Sequence, residues 1–133
     1  MICLRPISYN NSDCVAICFA LDKPDSFKEA VSKWRIEINN LGPLNVATIL
    51  VGLKKDLRDN MEEKGAPNDQ FVTSKEGSEA SEKYKFLSYV ECSAKLFENC
   101  DDVFHEAIRA ASLVEKIKIT DKNVSKESCC DIF

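Results

Sequence analysis

The chain has 133 residues, enough for one domain with a real core, and its 44% hydrophobic and 30% charged content are those of an ordinary globular protein. A net charge of −4 gives no electrostatic case for nucleic acid, and that class is set aside. The 7 cysteines (Cys3, Cys14, Cys18, Cys92, Cys100, Cys129, Cys130) lack metal-ligand spacing, and neither a transmembrane run nor a signal peptide is recognisable; a reducing cytosol is expected.

In chain order, DCVAICFAL (13–21) is a nearly continuous apolar run and predicts a strand covered on both faces. Pro24 opens a helix, where its missing N–H costs nothing, and Phe27, Val31, Trp34 and Ile38 form one stripe of it. NLGP (40–43) ends that helix. NVATILVG (45–52) predicts a second buried strand. The polar stretch RDNMEEKGAPNDQ (58–70), with Gly65 and Pro67 in its middle, reads as a loop or loosely helical insert. Thr73 and Glu76 form a capping-box pair at the start of a helical segment that runs to about Phe86. SYVEC (88–92) is a third short strand. Asn99 or Asp101 starts the last helix, with Val103, Phe104, Ala107, Ile108 and Ala111 as its core stripe; from Lys116 the apolar period fades into a polar tail.

Strands alternating with helices imply right-handed crossovers and a parallel sheet, whose ligands sit beyond the carboxyl ends of the strands. LKKD (53–56) follows the second strand, and Ser93, Ala94 and Lys95 follow the third. Both loops therefore open on one rim.

LRPISY, KPDSFKEAVSKW, ILVGLKKDLRD, YVECSAK, VFHEAIRAA and a terminal CDIF, in that order and at family spacing, resemble a Rho-family small GTPase of the Ras superfamily over nearly the whole chain. The resemblance implies an α/β fold, a partial Ras-like (P-loop NTPase-type) parallel sheet of three strands alternating with three helices. It divides the chain into a truncated G domain, 1–117, with its polar insert at about 58–70, and a flexible tail, 118–133, carrying a prenylation box. For the whole family domain it implies binding and hydrolysis of GTP with Mg²⁺, and membrane-linked signalling to the actin cytoskeleton. The partners it implies are GDP-dissociation inhibitors, exchange factors and effectors.

By the same resemblance, Asp56 is the carboxylate that accepts from the guanine ring N–H and exocyclic amine, the donor pair that sets guanine apart. Lys54 lays its stem along the base. Ser93, Ala94 and Lys95 form the loop in which the Ala94 N–H meets the guanine oxygen. Leu53 departs from the family, which carries asparagine or threonine there to tie this loop to the phosphate loop.

The chain has no GxxxxGK[ST]; its glycines are Gly42, Gly52, Gly65 and Gly77. The family's amide cradle, phosphate lysine, magnesium hydroxyl, threonine-bearing first switch and DxxG are thus not in this sequence. The expectation is an N-terminally truncated domain with no catalytic residue and no metal ligand, which holds neither GTP/GDP nor Mg²⁺ tightly. In the family's strand order the missing first strand lies beside 13–21. That edge is expected to be unpaired, and part of the last helix's packing face uncovered.

CDIF resembles a prenylation box with Cys130 as the prenyltransferase's acceptor and a geranylgeranyl-favouring Phe133. One lipid binds marginally, and Cys129 is the candidate for a second signal, palmitoylation. The expectation is a cytoplasmic protein held peripherally and reversibly on the cytoplasmic face of membranes. Among other conspicuous residues, His105 reads as half-exposed, Trp34 as a core-edge anchor, Cys14, Cys18 and Cys92 as strand fillers, and Glu62 and Glu63 as a solvated face. The functional readings are a Rho-type switch lacking its phosphate-binding part, a non-enzymatic fragment competing for Rho partners or prenylation machinery, and an unrelated parallel α/β domain.

Overall fold

The apolar runs become three parallel strands in a computed structural model of the chain, which describes residues 4–65 and 68–130, the side chains of 68 and 122–130 excepted. Strand β1 (Cys14–Ala20) pairs with β2 (Ala47–Leu53), and β2 with β3 (Tyr89–Glu91), in the order β1–β2–β3. Cys14 lies opposite Ala47, and Leu50 opposite Tyr89. As the central strand, β2 is buried from Ala47 to Gly52, and its alternating side chains feed two cores. Leu50 joins Ile17, Phe19 and Leu21 on one face; Ala47, Ile49 and Val51 join Cys92 and Ala110 on the other.

Helices α2 (Pro24–Glu29) and α3 (Arg35–Leu41), joined by a π-helical turn (Ala30–Trp34), run on as one rod over the first face. Pro24 takes the first-turn position expected of it, and Ile38 and Val31 are buried. A short α1 (Arg5–Tyr9) precedes β1; five residues are too few to carry a readable stripe. The front of the polar insert is helical: α4 (Lys55–Glu63), with a 3₁₀ turn (Asn68–Gln70) at its end; Pro67 lies outside the described residues. Helix α5 (Ser74–Lys83) starts on the expected capping box, the Thr73 hydroxyl accepting from the Glu76 N–H while the Thr73 N–H donates to the Glu76 carboxylate.

Two expectations are corrected on the side of the sheet facing α6 (Cys100–Cys130). Strand β1 is covered on one face: Ile17 and Phe19 are buried, but Ala16 and Cys18 are exposed, so Cys18 is no core filler. Helix α6 packs chiefly behind β2, and its packing on β1 centres on Cys14. Its inward stripe is Val103, Ala107, Ala110 and Val114; Phe104 and Ile108, expected in the core, are 68% and 65% exposed. Among the described residues no second helix lies beside α6 to receive them. The backbone also stays helical beyond Lys116, as far as Cys130, over a stretch that contains neither glycine nor proline. Residues 118–130, expected as flexible tail, are thus part of α6, while Asp131, Ile132 and Phe133 lie outside the described residues.

Candidate functional site

Strands β2 and β3 end side by side, and the loops that follow them meet. Lys54 leaves β2 in the left-handed conformation (φ 63°), which costs a non-glycine residue about 1 kcal/mol. That turn starts α4 at Lys55 and sets Asp56 in its first turn. Asp56 and Ser93 are both buried, and the Ser93 hydroxyl donates to Asp56 Oδ1 at 2.7 Å. Beside them opens a pocket of about 370 Å³ lined by Leu53, Lys54, Asp56, Leu57, Ala94 and Lys95. The N–H groups of Ala94 and Lys95 have no acceptor among the described residues. Lys54 Nζ lies 3.7 Å from Asp22 Oδ1, a buried oxygen with no hydrogen bond, so the segment after β1 also reaches this rim. The pocket thus offers a carboxylate, backbone donors, and the flat apolar surfaces of Leu53, Leu57 and two lysine stems.

The lysine pair divides its work. Lys54 lines the pocket, whereas Lys55 Nζ donates to Asp59 Oδ2 and Glu98 Oε1, each at 2.7 Å, bolting α4 to the loop after β3. The Lys55 N–H also donates to the Cys92 carbonyl at 3.1 Å. That second loop is closed on itself, the Ser93 and Glu98 backbones exchanging hydrogen bonds at 3.0 Å. The Asn99 amide donates to the Glu91 carbonyl at 3.0 Å where α6 begins.

Behind the rim sits a charged cluster. Arg58 is 5% exposed; its guanidinium grips both Glu91 carboxylate oxygens and donates to the Val72 carbonyl at 3.1 Å. The Tyr89 hydroxyl donates to Glu91 Oε1 at 2.6 Å, and Ser74 to Oε2 at 3.0 Å. Burial pushes the Glu91 carboxyl up, but the bonds from Arg58, Tyr89 and Ser74 outweigh it and hold the group below the usual carboxylate value. Burial and the Glu91 carboxylate push the Tyr89 hydroxyl up. A carboxyl depressed in the folded state stabilises the fold above its unfolded value of about 4.5 and loses that contribution as pH falls through the folded value. The urea midpoint is therefore expected to fall below about pH 4.5, and to fall less in Glu91→Gln. An identical acid profile in wild type and Glu91→Gln would remove Glu91 from this role.

The structure brings together all five residues expected at the rim: Lys54, Asp56, Ser93, Ala94 and Lys95. Sequence reading did not anticipate the direct Ser93–Asp56 bond, the Lys55 bolt or the Arg58–Glu91 cluster. The Lys55 bolt and the Arg58–Glu91 cluster showed only as charge of opposite sign in the segments 54–58 and 91–98, which periodicity does not pair, and the neutral Ser93 gave not even that signal. His105, expected to be half-exposed, is exposed on α6. The side chains of Cys129 and Cys130 lie outside what the structure describes. Among the described residues no group of His, Cys, Asp or Glu could hold a metal ion.

Residues 2–113 match the Ras family. The chain is 39% identical over 132 residues to GTP-binding protein rho2 of Schizosaccharomyces pombe, covering 97% of this chain and 64% of that protein. It is 38% identical over 127 residues to GTP-binding protein rho1 of the same yeast, covering 93% and 62%. It is also 37% identical over 127 residues to the Ras-like GTP-binding protein RhoL of Drosophila melanogaster, covering 95% and 60%. The chain thus spans less than two thirds of the length of these relatives.

Proposed function

The chain belongs to the Ras family, with Rho-type relatives, and from that premise we propose that it is the base-reading portion of a Rho-type GTP-binding switch, unable by itself to grip or hydrolyse the nucleotide. The observation that carries this reading is the rim pocket with the Ser93–Asp56 bond at its floor. A guanine base suits its chemistry. Asp56 accepts from the ring N–H and the exocyclic amine, while Ser93 holds the carboxylate through Oδ1. The Ala94 N–H donates to the guanine oxygen, and the Lys54 stem covers one face of the ring. Adenine lacks the donor pair that Asp56 needs.

Phosphate and Mg²⁺, which the family uses, find no such fit. No GxxxxGK[ST] exists in this sequence. What remains is one bidentate contact, one backbone hydrogen bond and a stacked lysine, on the order of 1–3 kcal/mol each before association costs. A net gain of about 4 kcal/mol corresponds to a Kd near 1 mM. The chain is therefore expected to retain no labelled GTP on a filter at micromolar concentration and to release no phosphate. Guanosine at millimolar concentration is expected to shift the Ala94 and Lys95 amide resonances, adenosine is not, and Asp56→Asn is expected to abolish the guanosine effect. Micromolar retention of GTP, or equal shifts with adenosine, would overturn the reading.

Membrane attachment belongs to the same proposal. Cys130 would carry a prenyl group added by a prenyltransferase, and Cys129 a palmitoyl group. Two lipids suffice for stable anchoring where one does not. Among the described residues no helix is long and apolar enough to cross a membrane. Rho-type regulators (exchange factors, GDP-dissociation inhibitors) and effectors are the partners this reading extends to. The exposed side of β1 favours a second reading, an interaction fragment that competes for Rho partners or for the prenylation machinery.

A further inference from the structure

At the foot of the sheet, the end away from the rim, a groove of about 280 Å³ opens where β2 begins and β3 has yet to start. Val46, Leu87, Val114 and Ile117 wall it. The Leu87 N–H donates to the Thr48 carbonyl at 2.8 Å, so the segment entering β3 closes one side. The ionised lining is Arg35 from α3, Lys85 from the turn after α5, and Lys118 and Asp121 from α6. Three cations against one carboxylate give the groove a charge of about +2, in a chain whose net charge is −4.

Two features set this groove apart from a chance meeting of surface lysines. The first is a fixed guanidinium. Arg35 Nε donates to the Tyr84 carbonyl at 3.0 Å and Nη2 to the Lys85 carbonyl at 3.2 Å, and the group lies 5.0 Å from the centroid of the Phe86 ring. The rest of its donor fork is uncommitted among the described residues, and no carboxylate there neutralises Arg35, Lys85 or Lys118. The second is Thr48. It is 3% exposed and lines the groove, yet its hydroxyl has no hydrogen-bond partner among the described residues. A buried hydroxyl left without an acceptor is costly, and a ligand oxygen would supply one.

We infer that this groove binds a phosphate monoester. Such a group carries about −1.5 to −2 charge at neutral pH and three acceptor oxygens. The charge balances the groove, and the oxygens suit a rigid guanidinium fork, two ammonium groups and one hydroxyl. Asp121 sets the limit, because a more heavily charged anion would be repelled by it. The monoester comes from one of two sources, a phosphorylated lipid headgroup or a free phosphorylated metabolite. Helix α6 favours the first: it runs on from Asp121 to Cys130, about 14 Å at 1.5 Å per residue, so a surface reached at Cys130 lies one long headgroup away. That source rests on the proposed lipidation of Cys130, whereas the site itself does not.

The unlipidated full chain would be titrated with glycerol 3-phosphate while the Thr48, Lys85 and Leu87 amide resonances are followed. Saturable shifts at millimolar concentration are expected there, and none at Ala94 and Lys95, so this site and guanine recognition fail separately. Lys118→Gln, on an exposed helix face, is expected to weaken binding about fivefold, and Asp121→Asn to tighten it about twofold. Thr48→Val is expected to weaken it about threefold while the urea midpoint holds or rises, because an unpaired hydroxyl is removed. A merely structural Thr48 would do the reverse, lowering the midpoint and sparing the affinity. Should Thr48→Val not fold, the two α6 variants decide. Sedimentation with phosphatidylcholine vesicles containing phosphatidylinositol 4-phosphate, against vesicles brought to equal charge with phosphatidylserine, separates the sources. Preference for the first assigns the lipid headgroup; no sedimentation with either assigns a free phosphate. Absence of saturable shifts, an affinity unchanged in Lys118→Gln, or sedimentation with phosphatidylserine vesicles as strong or stronger would each overturn the inference.

Discussion

Replacing Arg58 by methionine is expected to cost about 3 kcal/mol, near the low end for breaking a buried ion pair. The guanidinium is 5% exposed and grips both oxygens of Glu91, itself 10% exposed. Methionine fills much of the same volume, so the loss comes from charge rather than from a cavity. It leaves the Glu91 carboxylate with the Tyr89 and Ser74 hydroxyls, and the Val72 carbonyl without its donor. Replacing both members, Arg58→Met with Glu91→Met, is expected to recover part of the loss, because no uncompensated charge then remains. Urea unfolding followed by circular dichroism measures both. A single-variant cost under about 1 kcal/mol would reduce this pair to the worth of a surface bridge.

The second large effect turns on a contest of signs at Gly77, within α5. Helix propensity alone favours Gly77→Ala by about 1 kcal/mol. Packing opposes it: an added Cβ would lie 2.1 Å from Tyr89 Cζ and 2.3 Å from its hydroxyl oxygen. Tyr89 cannot swing aside easily. Its hydroxyl is bonded to Glu91, and its ring is stacked on Phe19 with centroids 6.3 Å apart. Overpacking is expected to win, for a net loss of about 2 kcal/mol. Tyr89 also pairs with Leu50 across the sheet, so the disturbance should reach β3 and the loop after it. A Gly77→Ala variant more stable than wild type would mean that helix and strand can separate without cost.

Sequence patterning carried some of this architecture and missed the rest for identifiable reasons. The capping box at Thr73 and Glu76 and the proline at the start of α2 are local devices, and both stand where the residues put them. The run 45–52 is mostly apolar because β2 is central, and it was readable as buried. The run 13–21 looks the same but lies at the sheet edge, so one of its faces is bare. Apolar composition records what a strand can be covered by, and the neighbours decide what covers it. Phe104 and Ile108 failed as core residues on the same ground. At the rim, the positions of LKKD after the second strand and of Ser93–Lys95 after the third placed both loops on one side, and the structure brings Lys54, Asp56, Ala94 and Lys95 into one pocket with Ser93 bonded to Asp56. The Ser93–Asp56 bond spans 37 positions, and no local period reports on such a distance.

Lys55, shared between Asp59 and Glu98, works with the Ser93–Asp56 bond to tie the two rim loops to each other. Part of the entropic cost of shaping the mould is then met during folding rather than at the moment of encounter. On the proposed reading, a purine arriving here would meet a largely finished cast, and its affinity would be limited by how few atoms it touches.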